Sequence, residues 1–483
     1  MQPSPTTLKV LFVAAEAAPL VKIGGLGDYI GSLPKALQDQ YQDADTNLDV
    51  RIIIPYNESF HKSYLKGLSP TKLVSQHNSI TNNFDVYSLE IDSITYFILK
   101  NTSAVIQHQY VYTLDTYKDG KKYIAFSLAC LDLMRELDWK ADIVQVNDWQ
   151  TGVVCHAVRQ NIDGFFNSTR SIFMIHNLPF MGSGCEQVMR RYNIRNDADP
   201  NIPAWAHELP ITAGIANADQ IITVSPTYAK EILTPAFGND LQTYLQTKQG
   251  KLMGILNGLD VQQWDPAHDP NIKSNYDWGT VENKKENKVY LQKTFDLEIK
   301  PHIPLLVMVS RLDRQKGIEL LIEALQEMPT SDWQAIILGT GSRELERSVQ
   351  NLEHELPQNV RVLLRFDSAL SHLFYAGGDI FLMPSLYEPC GISQMIAMRY
   401  GCIPVAHAVG GLVDSIDGSA KNRTGFLFPS ADAVSFRDAI KQAMDSFKNP
   451  AEWYTIQKRA MQQDFSWKNS AKEYYQVYKR LTG

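Results

Sequence analysis

Cysteine is scarce in this 483-residue chain: five, at 130, 155, 185, 390 and 402, widely spaced and without a C-x-x-C pair. That usage fits a reducing compartment better than a disulfide framework. No run of 18 apolar residues offers a membrane span, and the opening MQPSPTTLK lacks the apolar core of a secretory signal. The expectation is a cytoplasmic protein, or one of the plastid stroma if a transit peptide has been trimmed. Excess positive charge is also missing, since 46 Lys and Arg stand against 53 Asp and Glu for a net charge of -7. A nucleic-acid partner is therefore not expected, and an anionic ligand must be drawn by a local arrangement against a mildly repulsive overall field. His, Cys, Asp and Glu fall into no spacing such as H-E-x-x-H or C-x-x-C, so no protein-held metal is expected.

What the chain does have is length and alternation. At this size one core usually gives way to two, and 44% hydrophobic with 20% charged residues is ordinary for globular domains. Short Val/Ile-rich runs at 8–14, 50–55, 142–147, 171–175 and 220–224 suit strands buried on both faces of a parallel sheet. Residues 123–137 carry apolar side chains at helical spacing between two of them. The stretch 74–112 has β-like pieces and no long helix, which predicts hairpins or an irregular insertion. A polar, proline-bearing segment at 266–289 reads as a connection between domains. A second alternating series follows, with runs at 304–310, 334–339, 360–364, 379–384 and 403–407, and the chain closes on an amphipathic helix at 464–481. The fold class expected is α/β: two Rossmann-like domains facing across a cleft, where open parallel sheets bind ligands. The boundaries expected are 1–262, 263–464 and a final helix over 465–483 returning to the first domain.

Several motifs sit where such strands end. In KIGGLGD, Lys22 precedes Gly24, Gly25 and Gly27 between a strand and a helix, a place where backbone amides, the helix N-terminus and a mobile cation can hold a phosphate. The bland alternative is a glycine turn. In SRLDRQKG, Arg311 and Lys316 stand between the first strand and first helix of the second series, and two cations there can clamp a diphosphate and stabilise charge as a bond breaks. Arg314, in the same loop, reads as surface. In PSLYEPCG, Glu388 can accept hydroxyl hydrogen bonds from a ribose or a sugar, or be only an N-terminal helix charge. Gly410 and Gly411 form a second candidate anion nest. His176 and Asp148 each end a strand, with a purely structural role as the competing reading of both.

Together, KIGGLGD, NDWQTG, IHNL, VSPTYAKEI, GILNGLD, SRLDRQKG, LGTG, MPSLYEPCG and DFSWKNSAKEY occur in the order found in bacterial and plant-type glycogen and starch synthases, and the chain resembles that family over nearly its whole length. The resemblance implies a retaining glucosyltransferase of the GT-B fold, with ADP-glucose as donor, the non-reducing end of an α-1,4-glucan as acceptor, and no further cofactor. It makes Lys22, with Gly24, Gly25 and Asp28 of the same motif, similar to the residues contacting the donor diphosphate. Arg311 and Lys316 resemble the pair that neutralises departing ADP. Glu388, followed by Cys390 and Gly391, resembles the family's essential carboxylate. His176 resembles the histidine near the transferred glucose, and Asn177, Asp148 and Asn257 match polar positions around sugar or acceptor. Lys288 matches a lysine of the donor site, and Phe366 stands where the family usually stacks a tyrosine on adenine.

The chain also departs from the pattern. Leu386 and His407 stand where the family often has arginine, the lysine expected ahead of ITAGIANADQIITVSP is absent, and the region after IHNL is short and lacks YQG. These changes concentrate on the side expected to meet the acceptor. The competing readings are another nucleotide-sugar GT-B enzyme, such as a relative of sucrose or sucrose-phosphate synthase or a trehalose-forming enzyme, and a weakly active glucan-binding paralogue.

Overall fold

The computed structural model describes all residues except 1–5, 42–45, 61, 107, 114 and 197. The chain divides into two compact units, one formed by residues 1–258 with 467–483 and the other by 259–466. No helix among the described residues is long and apolar enough to cross a membrane.

Among the described residues, unit one has nine strands: β1 Thr6–Val13, β2 Thr46–Pro55, β3 Thr71–His77, β4 Ile80–Ile91, β5 Ile94–Asn101, β6 Ile143–Asn147, β7 Arg170–Ile175, β8 Gln220–Thr223 and β9 Leu252–Gly254. Their order is β3-β4-β5-β2-β1-β6-β7-β8-β9. All neighbours are parallel except β3/β4 and β4/β5. The β-like pieces of 74–112 are thus hairpins that extend one edge of the parallel sheet. Asp92 and Ser93, both at positive φ, supply the two-residue turn between β4 and β5, the geometry whose twist matches paired strands. The continuous apolar runs follow from helices covering both faces: every residue of β6 is buried.

One of those buried residues is polar, and its partners explain how the unit is closed. Gln145 lies within β6, where an unpaired amide is costly. Its Nε2 donates to the Tyr29 hydroxyl from the helix Gly25–Gln40, and its Oε1 accepts from the Tyr478 hydroxyl at 2.7 Å. Tyr478 belongs to the last helix, Trp467–Thr482, whose Tyr475 also stacks on Tyr41 with ring centroids 3.7 Å apart. Tyr478→Phe should keep the packing and orphan Gln145 Oε1, lowering stability by about 1–3 kcal/mol. A urea midpoint unchanged from the parent would show that the bond carries nothing.

Unit two has six parallel strands: β10 Leu305–Val309, β11 Gln334–Leu338, β12 Val360–Leu363, β13 Ile380–Met383, β14 Ile403–His407 and β15 Phe426–Phe428, in the order β12-β11-β10-β13-β14-β15. The polar segment 266–289 folds as part of this unit rather than as a free connection, and its end begins the helix Lys284–Thr294. The order reverses beside β10, so the loops after β10 and β13 emerge side by side at the carboxyl edge, the usual ligand-binding place of an open parallel sheet.

Candidate active site

In unit two, two loops are brought together by the absence of one side chain. Gly317 has φ +66°, and a Cβ there would lie 1.9 Å from the carbonyl oxygen of Pro384. Only glycine lets the loop 311–317 press on the turn 384–388. Two bonds from Gln315 hold the same contact: its carbonyl accepts from the Leu386 N–H at 2.8 Å, and its Nε2 donates to the Tyr387 carbonyl at 3.2 Å. Lys316 is thereby delivered to Glu388, with Nζ to Oε2 at 2.6 Å, and Ser385 Oγ donates to the same oxygen at 3.0 Å. Side-chain exposure is 16% for Lys316 and 7% for Glu388, so this pair lies below the surface, where charge interactions are least screened.

Arg311 is the exposed member of the group. Its guanidinium is 65% exposed, paired with Asp313 at 3.0 Å and donating to Gln315 Oε1 at 3.3 Å. Asp313 also caps the short turn Arg314–Lys316 by accepting from the Lys316 N–H. Arg314 is exposed, as expected. A cavity of about 160 Å³ opens at the carboxyl ends of β10 and β13, bordered by Arg311, Lys316, Ser385 and Ser393. Sites enclosing a whole small-molecule ligand run to roughly 300–1000 Å³, so this cavity has room for only part of such a ligand.

Cys390 and Gly391 follow Glu388 in the same turn, and Gly410 and Gly411 back it. A Cβ on Gly411 would lie 2.1 Å from the Cys390 carbonyl. The Gly411 N–H donates to the Glu388 carbonyl at 3.1 Å, so the expectation of an anion nest is corrected for this amide: it is spent on holding the Glu388 turn. Phe366 stands on the loop after β12, 87% exposed and able to offer a ring face. Lys288 is the clear correction. Its Nζ pairs with Asp379 at 2.7 Å and donates to the Ile303 carbonyl at 2.6 Å, at the amino ends of β10 and β13 and away from the carboxyl-edge cluster. Buried there, it ties strand starts together.

In unit one a second group forms at the ends of β1, β6 and β7. Asn147 Nδ2 donates to the Val13 carbonyl at 2.9 Å, which turns Oδ1 toward His176 Nε2, also at 2.9 Å. Nε2 is therefore the protonated nitrogen and Nδ1 the acceptor. Tyr29 meets the imidazole edge-on at 4.8 Å. Asp148, at φ +56°, accepts from the His176 N–H at 2.8 Å and the Asn177 N–H at 3.4 Å. The Oδ1 atoms of Asn177 and Asn257 are buried without a protein partner, which suits them to accept from sugar hydroxyls.

The glycine loop differs from expectation. The amides of Ile23 and Gly24 both donate to Glu16, at 3.3 Å for Gly24, and the Tyr112 hydroxyl donates to the other oxygen at 3.1 Å. Lys22 Nζ pairs with Asp28 at 2.7 Å in the first turn of the following helix, whose first residue is Gly25. The Gly24 amide, read as a phosphate donor, thus holds an internal carboxylate together with its neighbour Ile23. Burial outweighs those bonds and raises the Glu16 pKa. Asn147, Glu16, Tyr112 and Gln315 escaped the sequence reading. Glu16 offered a signal, a lone carboxylate directly after an apolar strand.

Burial lowers the His176 imidazole from 6.5 to about 3 and raises Asp148 from 3.8 to about 7, the latter against two backbone donors. Between about pH 4 and 6.5 the unfolded chain ionises Asp148 and protonates His176, while the folded chain does neither. Both states then hold one proton across the pair, and its contribution to stability is flat. Asp148→Asn exposes the histidine term: stability should fall as pH drops from about 6.5 toward 3, by up to about 1.4 kcal/mol per pH unit. His176→Gln exposes the opposite term, with stability falling as pH rises from about 4 to 7. Urea midpoints across this range check both signs, and parallel profiles for the three chains would refute the assignment.

Residues 9–247 match the family described as "Starch synthase catalytic domain", and residues 292–459 that described as "Glycosyl transferases group 1". The glycogen synthase of Lactobacillus acidophilus is 36% identical, over 99% of this chain and 100% of its own. That of Clostridium perfringens is 35% identical, over 98% of both chains. Among solved structures, the catalytic domain of starch synthase IV from Arabidopsis thaliana, bound to ADP and acarbose, is similar at TM-score 0.87 and 31% identity, covering 99% of this chain and 100% of that one. Sucrose-phosphate synthase from Thermosynechococcus elongatus shares the fold at TM-score 0.63 and 19% identity, covering 98% and 99%.

Proposed function

Because this chain belongs to the glycogen and starch synthase family and is a glucosyltransferase acting on glucan, we propose that it transfers glucose from ADP-glucose to the non-reducing end of an α-1,4-glucan with retention of configuration, and that it works in the cytoplasm. The observation that carries the donor side is the buried Lys316–Glu388 pair with Arg311 beside it. A nucleotide sugar breaks its bond by leaving negative charge on a diphosphate. Lys316 and Arg311 supply fixed positive charge where that happens, in a site partly closed to water. Lys22 adds a cation that can exchange Asp28 for phosphate, and Phe366 offers the face on which adenine stacks.

In unit one, neutral His176 has a lone pair on Nδ1, and Asn177 and Asn257 carry unpaired acceptors suited to sugar hydroxyls. Retention without an obvious nucleophile favours front-side attack: the acceptor 4-hydroxyl gives its proton toward the leaving phosphate as the new bond forms on the same face. Glu388 then orients and stabilises.

Cations take the role a metal would hold in this reading. Activity should survive EDTA, and complete loss restored by manganese would overturn that part. The test of the whole is the rate of glucan elongation with ADP-glucose and with UDP-glucose on maltose, maltoheptaose, glycogen and insoluble starch. A strong ADP-glucose preference is expected, with an acceptor profile set by 178–214, where Phe180 and Trp205 are exposed. No elongation with either donor would sink the proposal.

A further inference from the structure

The turn that carries Glu388 is fastened from one side by the loop 311–317, through Gly317 and Gln315. On the other side stands His407, the last residue of β14. Its ring is buried and stacked on Phe428 with centroids 5.1 Å apart, and its Nδ1–H donates to the Ser385 carbonyl at 2.8 Å. Ser385 is the residue whose hydroxyl meets Glu388 Oε2. A continuous relay therefore runs from the end of β14 through His407 and Ser385 to the Lys316–Glu388 pair.

We propose that His407 is a positioning residue for glucosyl transfer: its Nδ1–H fixes the Ser385 carbonyl, and through it the orientation of the Glu388 carboxylate toward the donor sugar. Stacking alone would need only a flat ring, and any ring on Phe428 would supply it. The hydrogen bond needs a donor at one place, two bonds beyond Cβ, and Leu386 brings no charge to the turn that could replace it. Misplacement of a group at the reacting centre by a fraction of an ångström to 1 Å is costly to turnover even where binding is intact.

This inference rests on the glucosyl-transfer reading, and the experiment keeps the two apart. The parent chain, His407→Phe, His407→Asn and His407→Gln are compared for kcat and donor KM with ADP-glucose and maltoheptaose, alongside melting temperatures. Phenylalanine keeps the stacked ring and loses the donor. Asparagine places an amide N–H where Nδ1 stands, and glutamine carries its amide one bond too far. The expected result is a kcat lower by about tenfold or more for the Phe and Gln variants, donor KM within about twofold, and recovery of most turnover in the Asn variant. Equal activity in the Phe and Asn variants, or losses that follow melting temperature alone, would reduce His407 to a packing residue and overturn the proposal. An inactive parent chain would instead overturn the donor and acceptor assignment.

Discussion

Lys316→Ala should lower turnover by a hundredfold or more, on the order of 3 kcal/mol of lost transition-state stabilisation, with affinity for the intact ADP-glucose donor changed much less. The reasoning lies in when the charge is needed. In the ground state the diphosphate is spread over several donors, but as the glycosidic bond breaks, additional charge collects on the leaving oxygen. Lys316, held 2.6 Å from Glu388 and largely out of solvent, is pre-placed and need not reorganise. Its removal has a second effect to be separated from the first. Glu388 would keep Ser385 and lose its counter-charge, and breaking a buried pair from one side costs about 3–5 kcal/mol of stability. Turnover at saturating donor, calorimetric affinity for ADP-glucose in the absence of acceptor and a melting curve separate the three quantities. Equal losses in affinity and turnover would make Lys316 a uniform binder.

Glu388→Gln is expected to be comparably severe, about a hundredfold or more in kcat, although the amide matches the carboxylate in shape. The charge is what is lost, and with it the partner that holds Lys316. The geometry also bears on how the carboxylate acts. Oε2 already accepts from both Lys316 and Ser385, and a carboxylate so engaged is a poor nucleophile and a good electrostatic and orienting group. Slow turnover with a 2-fluoro donor followed by mass spectrometry addresses this directly. Unmodified protein is expected, and a glucosyl ester at Glu388 would replace front-side attack with a double displacement.

The strands of the α/β sheets were legible because burial on both faces leaves a continuous apolar run, as in β1, β6 and β10. The three-residue β9 and β15 were too short to leave such a trace. Arg311, Lys316 and Glu388 could be singled out because each stands just beyond a strand's carboxyl end, and the structure gathers them. Lys288 shows the limit of that reasoning: within a helix, spacing gives the face a lysine occupies but not which end of a neighbouring sheet its amine reaches. Glu16 shows another, since nothing local says that a carboxylate seven residues away will take the amides of a glycine loop. Gln145 lies in an apolar run, and its purpose depends on Tyr29 and on Tyr478, 333 positions along the chain.

That last bond has a consequence for how the protein is made. Unit one is discontinuous: its final helix, 467–483, leaves the ribosome only after the whole of 259–466. Domains tend to fold as they emerge, so the second unit can be complete while the first still lacks the helix that pairs Gln145 and covers Tyr41. At about 5–20 residues per second, roughly 200 intervening residues hold unit one unfinished for about 10–40 seconds on each nascent chain. During that interval an apolar surface beside the first helix stands open to chaperones, and the molecule gains its first unit last.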